Sequence, residues 1–413
     1  MLTPRVFISV QSTTFSDKMY ISSSFHLIPM LLGSFVGANA VPYSCGHGGK
    51  ALYLQSNEQQ NSIISIPIGD DGKLYGGIAT LTGGMGGDGI NGMTGAPAAP
   101  DALSSQSSVF VIDDLVFAVN AGSNTLSMFR INRSDPTNLT MVGEPITVPG
   151  DFPVTVTASL KRKVACVGYT GAKSGVSCAE IMTEGLQHMT EVLNFELHQT
   201  TPPVGPTNTV AQVFFAENDT RLITTVKGNP STNQTGFVSI LPFKHSDSSL
   251  FEIRDTRSSP AGTAVLFGGV EIPGTSHLFI TDASFGATVL GLDRTTDRVF
   301  LKDKIIVENQ KATCWAAYSS TRKSVFVTDA ALNRLIEIST DGAKILSILN
   351  LANGDPGLTD LKAVGRFVYA LSPGNGTTAA AITVIDSLQS QQIQHFELTH
   401  LSAGKRSQGL AVF

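Results

Sequence analysis

Charge is scarce in this sequence. Asp, Glu, Lys and Arg make up 15% of the 413 residues, against roughly 25% in ordinary soluble domains. The 28 basic and 33 acidic residues leave a net charge of -5, without the basic balance that nucleic-acid binders normally carry. The four cysteines are too few for a disulfide-stapled mini-protein, and no C-x-x-C pair suggests a thiolate zinc site. None of the eight histidines falls in the H-x-H or H-x-x-x-H spacing that would place two imidazoles on one metal. Beyond the N-terminal region no apolar run is long enough to span a bilayer. Helical periodicity is nearly missing as well, and residues 179–196 are the one stretch with room for a helical turn or two. Disorder is nonetheless excluded, because 42% of the residues are hydrophobic and the net charge is small.

What is abundant is glycine (40 residues), with 19 prolines, interleaved with apolar segments of period two. Val109-Phe-Val-Ile, Leu115-Val-Phe-Ala-Val and Val325-Phe-Val-Thr are examples. These segments recur as a unit of strand, polar turn, strand, Asn/Asp/Gly turn, strand. Copies lie at 107–131, 209–243 and 313–339, and others begin near Val154, Thr263 and Leu358. One further copy is split. Residues 50–69 match the second and third strands of the unit, and Ser407-Gln-Gly-Leu-Ala-Val-Phe413 matches the missing first strand. A final strand that completes the first repeat is a ring-closing device, which predicts an all-β, seven-bladed β-propeller whose first blade is closed by the C-terminal strand. A pair of β-sandwiches or a β-helix would leave the match between the two chain ends unexplained.

The N-terminus predicts secretion. An apolar run, Phe25 to Val36, ends in Ala38-Asn39-Ala40, an A-x-A cleavage pattern. Residues 1–40 are therefore expected to be a signal peptide, with Met19 the better start because 1–18 add nothing a signal requires. Residues 41–413 are left as one propeller domain with no membrane span. Sequons at Asn132, Asn138, Asn218, Asn233 and Asn375 fit N-glycosylation in the same compartment. Cys166 and Cys178 bracket a polar turn between two strand-like runs and are expected to pair, which leaves Cys45 with Cys314.

The stretch Phe117-Ala-Val-Asn-Ala-Gly-Ser-Asn-Thr-Leu-Ser-Met-Phe129 resembles the blade motif of the seven-bladed lactonase family, which includes 6-phosphogluconolactonases and fungal 3-carboxy-cis,cis-muconate cyclases. Leu54-Gln-Ser-Asn-Glu58, Gly95-Ala-Pro-Ala-Ala-Pro-Asp-Ala-Leu-Ser-Ser-Gln-Ser107 and Thr200-Thr-Pro-Pro-Val-Gly-Pro206 are similar to secreted fungal 3-carboxymuconate cyclase-like proteins. The resemblance covers about residues 50–413. It implies a lactonase or cycloisomerase working on an anionic small molecule in the central channel, with His and Arg at the starts of inner strands. Here those starts read Phe152-Pro-Val-Thr, Gly205-Pro-Thr-Asn-Thr-Val and Ser259-Pro-Ala-Gly-Thr. The proline frame is kept, and the His and Arg are missing. Without them an anion loses its charge-assisted donors, and no positioned acid or base moves a proton. The departure favours a non-catalytic extracellular or cell-wall binding glycoprotein over an enzyme.

If a polar site exists, Arg257, Lys311 and Arg406 are the candidates for an anionic ligand, with Asp151 as a base, because all four are read as lying just before inner strands. His198 is the one histidine considered for the channel rim. Gly87-x-Gly89-x-x-Gly92 matches a dinucleotide fingerprint by spacing, but no helix pattern follows it. It reads as a mobile loop between blades one and two, placed to cover one channel mouth, and no cofactor is expected. The partners expected are a small anionic ligand or a matrix or cell-wall component, with no nucleic acid.

Overall fold

The computed structural model describes residues 50–187, 189–243 and 254–413. The signal segment, Met19, Val41 and Cys45 lie outside the described residues.

Seven antiparallel sheets follow one another around a ring. The first strands of blades 2 to 7 are Val109–Ile112, Pro153–Ser159, Val210–Ala216, Leu266–Ile272, Thr313–Ser319 and Thr359–Val364. Each packs against the first strand of the next blade. In blade 1 that innermost place is taken by Gln408–Val412, the C-terminal strand, which pairs with Lys50–Gln55. It also packs against the first strands of blades 7 and 2, so the ring is closed, as the split repeat predicts.

The apolar clusters lie between blades. One joins Leu54 and Ile64 of blade 1 to Leu371 and Ile382 of blade 7. Another joins Phe279 and Val289 of blade 5 to Val325 and Ile336 of blade 6. A blade is thus covered on both faces, and every residue of the second strand Leu115–Asn120 is buried. This is why such strands read as unbroken apolar runs.

Each blade has at least four ladder strands rather than the three of the sequence unit. The additional outer strands, such as Ile345–Asn350 and Thr256–Ser258, are half exposed. One covered face and one wet face make them weak as sequence signals. The helical turns considered for 179–196 are not formed among the described residues. That stretch ends the strand Gly175–Met182 and supplies the short strands Gly185–Gln187 and Leu193–Asn194.

Cys166 and Cys178 face each other in the ladder between the second and third strands of blade 3 and form the expected disulfide. Cys314 is buried on the inner strand of blade 6, and Cys45, with which it is expected to pair, lies outside the described residues.

Removal of 407–413 leaves Lys50–Gln55 with an open inner edge and unties blade 1 from blades 7 and 2. The truncated chain is expected to lose cooperative thermal unfolding and to fail secretion. Normal yield together with an unchanged melting temperature contradicts closure by this strand.

Candidate functional site

Between the outer strand of blade 1 (Ile78–Leu81) and the first strand of blade 2, the chain crosses the ring and then enters it. Ala102 to Ser108 are each at most 7% exposed. Their partners come from all around the molecule. The Ser105 hydroxyl donates to the Val154 carbonyl of blade 3 at 2.7 Å, and the Gln106 amide N–H donates to Ala211 of blade 4 at 2.9 Å. The Gln106 side chain pairs with the Ala316 backbone of blade 6 both ways, giving Nε2 to the carbonyl at 2.8 Å and accepting the N–H at 3.1 Å. Trp315 Nε1 donates to the Ser105 carbonyl at 2.9 Å.

Ser107 N–H reaches Asp360 of blade 7 at 3.4 Å, and Gln408 of the closing strand donates to the Pro100 carbonyl at 3.2 Å. In blade 5 a Cβ built on Gly268 would lie 2.1 Å from Gln106 Oε1, so only glycine fits there. A segment that touches the inner part of every other blade lies on the ring axis. The chain therefore stoppers its own channel. Its small polar residues satisfy backbone groups that inner strands otherwise leave open.

The glycine-rich stretch forms a lid above this plug. Gly87 N–H donates to Asn57 Oδ1 at 3.1 Å. Gly89 N–H donates to the Ala102 carbonyl at 2.9 Å, and Gly92 N–H to the Gly205 carbonyl at 2.8 Å. All three fingerprint amides are thus spent on the protein itself, which removes the phosphate-cradle reading. The glycines serve close backbone packing instead, since a Cβ on Gly86 would lie 2.1 Å from the Asn57 carbonyl. These bonds tie the loop down, in contrast to the mobile loop expected. A second loop joins the lid through parallel pairing of Val204–Gly205 with Ile90–Asn91. His198 is exposed on that second loop.

A charged pair lies under the plug. Lys227 of blade 4 is 2% exposed, donates to the Ser104 carbonyl and holds its ammonium 4.5 Å from the Phe267 ring centre. Burial pulls its pKa down to about 8, with Asp101 opposing the shift. Burial pushes Asp101 up to about 6, partly offset by Lys227 and reinforced by Asp88. The same burial raises the Cys314 thiol well above its ordinary range. The sequence reading did not single out Lys227, Asp101, Gln106 or Trp315. The single tryptophan was the one available hint.

The four sequence candidates have separate surroundings. Arg406 is held by two carboxylates, Glu58 at 2.9 Å and Asp88 at 3.1 Å, and so clamps the lid to the approach of the closing strand. Arg257 does not precede an inner strand. It lies on the outer strand of blade 4, bonded to Asp255 at 2.8 Å and stacked on Phe195 and Phe237. The misplacement follows from the outer strand that the three-strand unit omits. Asp151 accepts from the Lys173 N–H at 3.1 Å beside Thr201. Lys311 is exposed before the inner strand of blade 6. The asparagines of the five sequons, Asn132, Asn138, Asn218, Asn233 and Asn375, are all exposed.

The Asp101 shift carries a sign. A carboxyl whose folded pKa is above its unfolded value binds more protons when folded, so stability falls as pH rises from about 4 through about 6. Asp101→Asn is expected to gain on the wild type in melting temperature across that interval. A difference between the two proteins that is constant from pH 4 to 6.5 contradicts the burial of this carboxyl.

No family model matches the chain, and no curated protein matches its sequence. Solved structures do match in fold. The periplasmic gluconolactonase of Pseudomonas aeruginosa aligns over 88% of this chain and 99% of its own, at 13% identity and a TM-score of 0.63. A protein designated a 6-phosphogluconolactonase from Bacteroides fragilis aligns over 90% and 100%, at 11% identity and 0.60. A protein from Lactobacillus plantarum aligns over 89% and 99%, at 12% identity and 0.61. At these identities the likeness is one of fold, and the fold that this chain shares with them is the seven-bladed β-propeller.

Proposed function

We propose that the chain is a secreted, N-glycosylated binding propeller of the extracellular space or cell wall, with no reaction in its channel. The observation that carries this reading is the buried segment Ala102–Ser108 on the ring axis. A small-molecule site needs an open concavity with a few convergent polar groups. Here the Val154 carbonyl and the Ala316 backbone at the axis are bonded to the chain's own plug. The basic groups nearby do not offer an anion free donors either. Lys227 is buried beneath the plug, and Arg406 is neutralised by Glu58 and Asp88. The exposed sequon asparagines support the extracellular half of the proposal, since attached glycans must point to solvent.

The purified chain is expected to leave the ultraviolet absorbance of 3-carboxymuconate unchanged over buffer. Turnover that disappears in Arg406→Ala overturns the non-catalytic reading and restores a lactonase or cycloisomerase. N-terminal sequencing of material from a secreting host is expected to begin at Val41. Recovery of an intact 1–40 segment overturns secretion by cleavage.

A further inference from the structure

We infer that Asn375 is a site of intramolecular deamidation, and that the fold singles it out among the three Asn-Gly pairs of the chain. The pairs are Asn91-Gly92, Asn353-Gly354 and Asn375-Gly376. The reaction is a cyclisation. The backbone nitrogen after the asparagine attacks the side-chain carbon Cγ, a C–N bond forms to give a succinimide, and the Cγ–Nδ2 bond breaks with release of ammonia. Water then opens the ring at either carbonyl, leaving aspartate or isoaspartate. Glycine as the second residue leaves this attack unhindered, because it has no Cβ. Nothing in the step needs a bound ligand or an extracellular setting, so it stands apart from the binding reading.

The step needs a polarised carbonyl, a free nucleophile and a leaving nitrogen that nothing holds. The first is met at all three pairs. Each asparagine Oδ1 accepts the N–H two residues on, from Met93 at 2.9 Å, Asp355 at 3.2 Å and Thr377 at 2.9 Å. Such donors stabilise the negative charge that grows on this oxygen as the ring closes. At Asn375 the Thr377 hydroxyl at 2.7 Å, the Thr378 N–H at 2.9 Å and the Thr378 hydroxyl at 3.0 Å join them.

The other two requirements separate the pairs. At Asn91 the nucleophile is engaged, because the Gly92 N–H donates to the Gly205 carbonyl at 2.8 Å inside the lid. At Asn353 the leaving nitrogen is held. This half-buried side chain donates Nδ2 to Thr383 Oγ1 at 2.9 Å and to Gln392 Oε1 at 3.3 Å, both in blade 7. At Asn375 both groups are open. Asn375 and Gly376 are exposed in the turn between the blade 7 strands Phe367–Ser372 and Ala381–Asp386. Among the described residues neither the Gly376 N–H nor Asn375 Nδ2 has a hydrogen-bond partner. A Cβ built on Gly376 would meet nothing within 4 Å. Conversion adds one negative charge to this turn, and isoaspartate adds a methylene to its backbone.

The test uses the full chain made without glycosylation, because an N-linked glycan on Asn375 would occupy the nitrogen that must leave. The folded protein is held in mildly alkaline buffer, and peptide mass spectrometry follows the amide-to-acid mass gain at the three asparagines. Asn375 is expected to convert at least tenfold faster than Asn91 or Asn353, with isoaspartate among its products. In urea, where only the shared Asn-Gly sequence remains, the three are expected to convert at similar rates. Asn91 or Asn353 converting as fast as Asn375 in the folded chain overturns the site. So does an Asn375 that converts in urea but not in the folded chain, or that gives aspartate without isoaspartate. A tenfold lead of Asn375 that persists in urea overturns the role of the fold.

Discussion

Everything in this molecule depends on the meeting of its last strand with its first blade. Leu52, Tyr53 and Gln55 pair with Val412, Ala411 and Gln408, and without that ladder the ring has two open edges. One buried carboxylate sits at the joint. Asp360, on the inner strand of blade 7, accepts the Leu410 N–H of the closing strand at 3.0 Å and the Ser107 N–H of the plug at 3.4 Å. Its other oxygen takes the Leu361 N–H at 2.8 Å. Burial raises its pKa, and the Lys362 charge and the three N–H groups oppose that shift. Closing strand, channel plug and last blade thus share a single side chain.

The plug changes what the fold can be used for. A propeller normally leaves a channel at its centre. Here Gln106 and Ser105 spend their hydrogen bonds on Ala316, Trp315 and Val154. Lys227, buried beneath the plug, is turned to the plug backbone. The rim is where the loops differ most from blade to blade. Blade 6 shows such a difference, in the register shift at Asp329 and in the open hollow beside Lys311.

The legible parts of the fold were those with a strong local signal. Second strands such as Leu115–Asn120 are buried on both faces and stand out as apolar runs. Outer strands such as Gln391–Glu397 are half wet and look like polar loop. Missing them shifted Arg257 from an outer edge to the start of an inner strand. The disulfide was legible because Cys166 and Cys178 flank one hairpin. The burial of Cys314 was not, because its charged neighbours come from blades 4 and 5 and from Asp101, just before the plug. Of the candidate site residues, Lys311 is the one that lies in an open polar hollow, and its neighbours Asn333 and Arg334 gave no motif to find them by.

The sequence by itself determined the ring: periodicity two, a repeated strand-and-turn unit, and a C-terminal copy of the strand that the first repeat lacks. Those are local patterns, set by which face of each segment must be apolar. It also marked the scarcity of charge and the absence of His and Arg beside Pro153, Pro206 and Pro260. Only the tertiary structure decided what fills the centre. The bonds that hold the plug join residues as far apart as Gln106 and Ala316, separated by 210 positions. No local pattern encodes such a contact, because a serine or glutamine is bonded or bare according to what the closed ring brings against it.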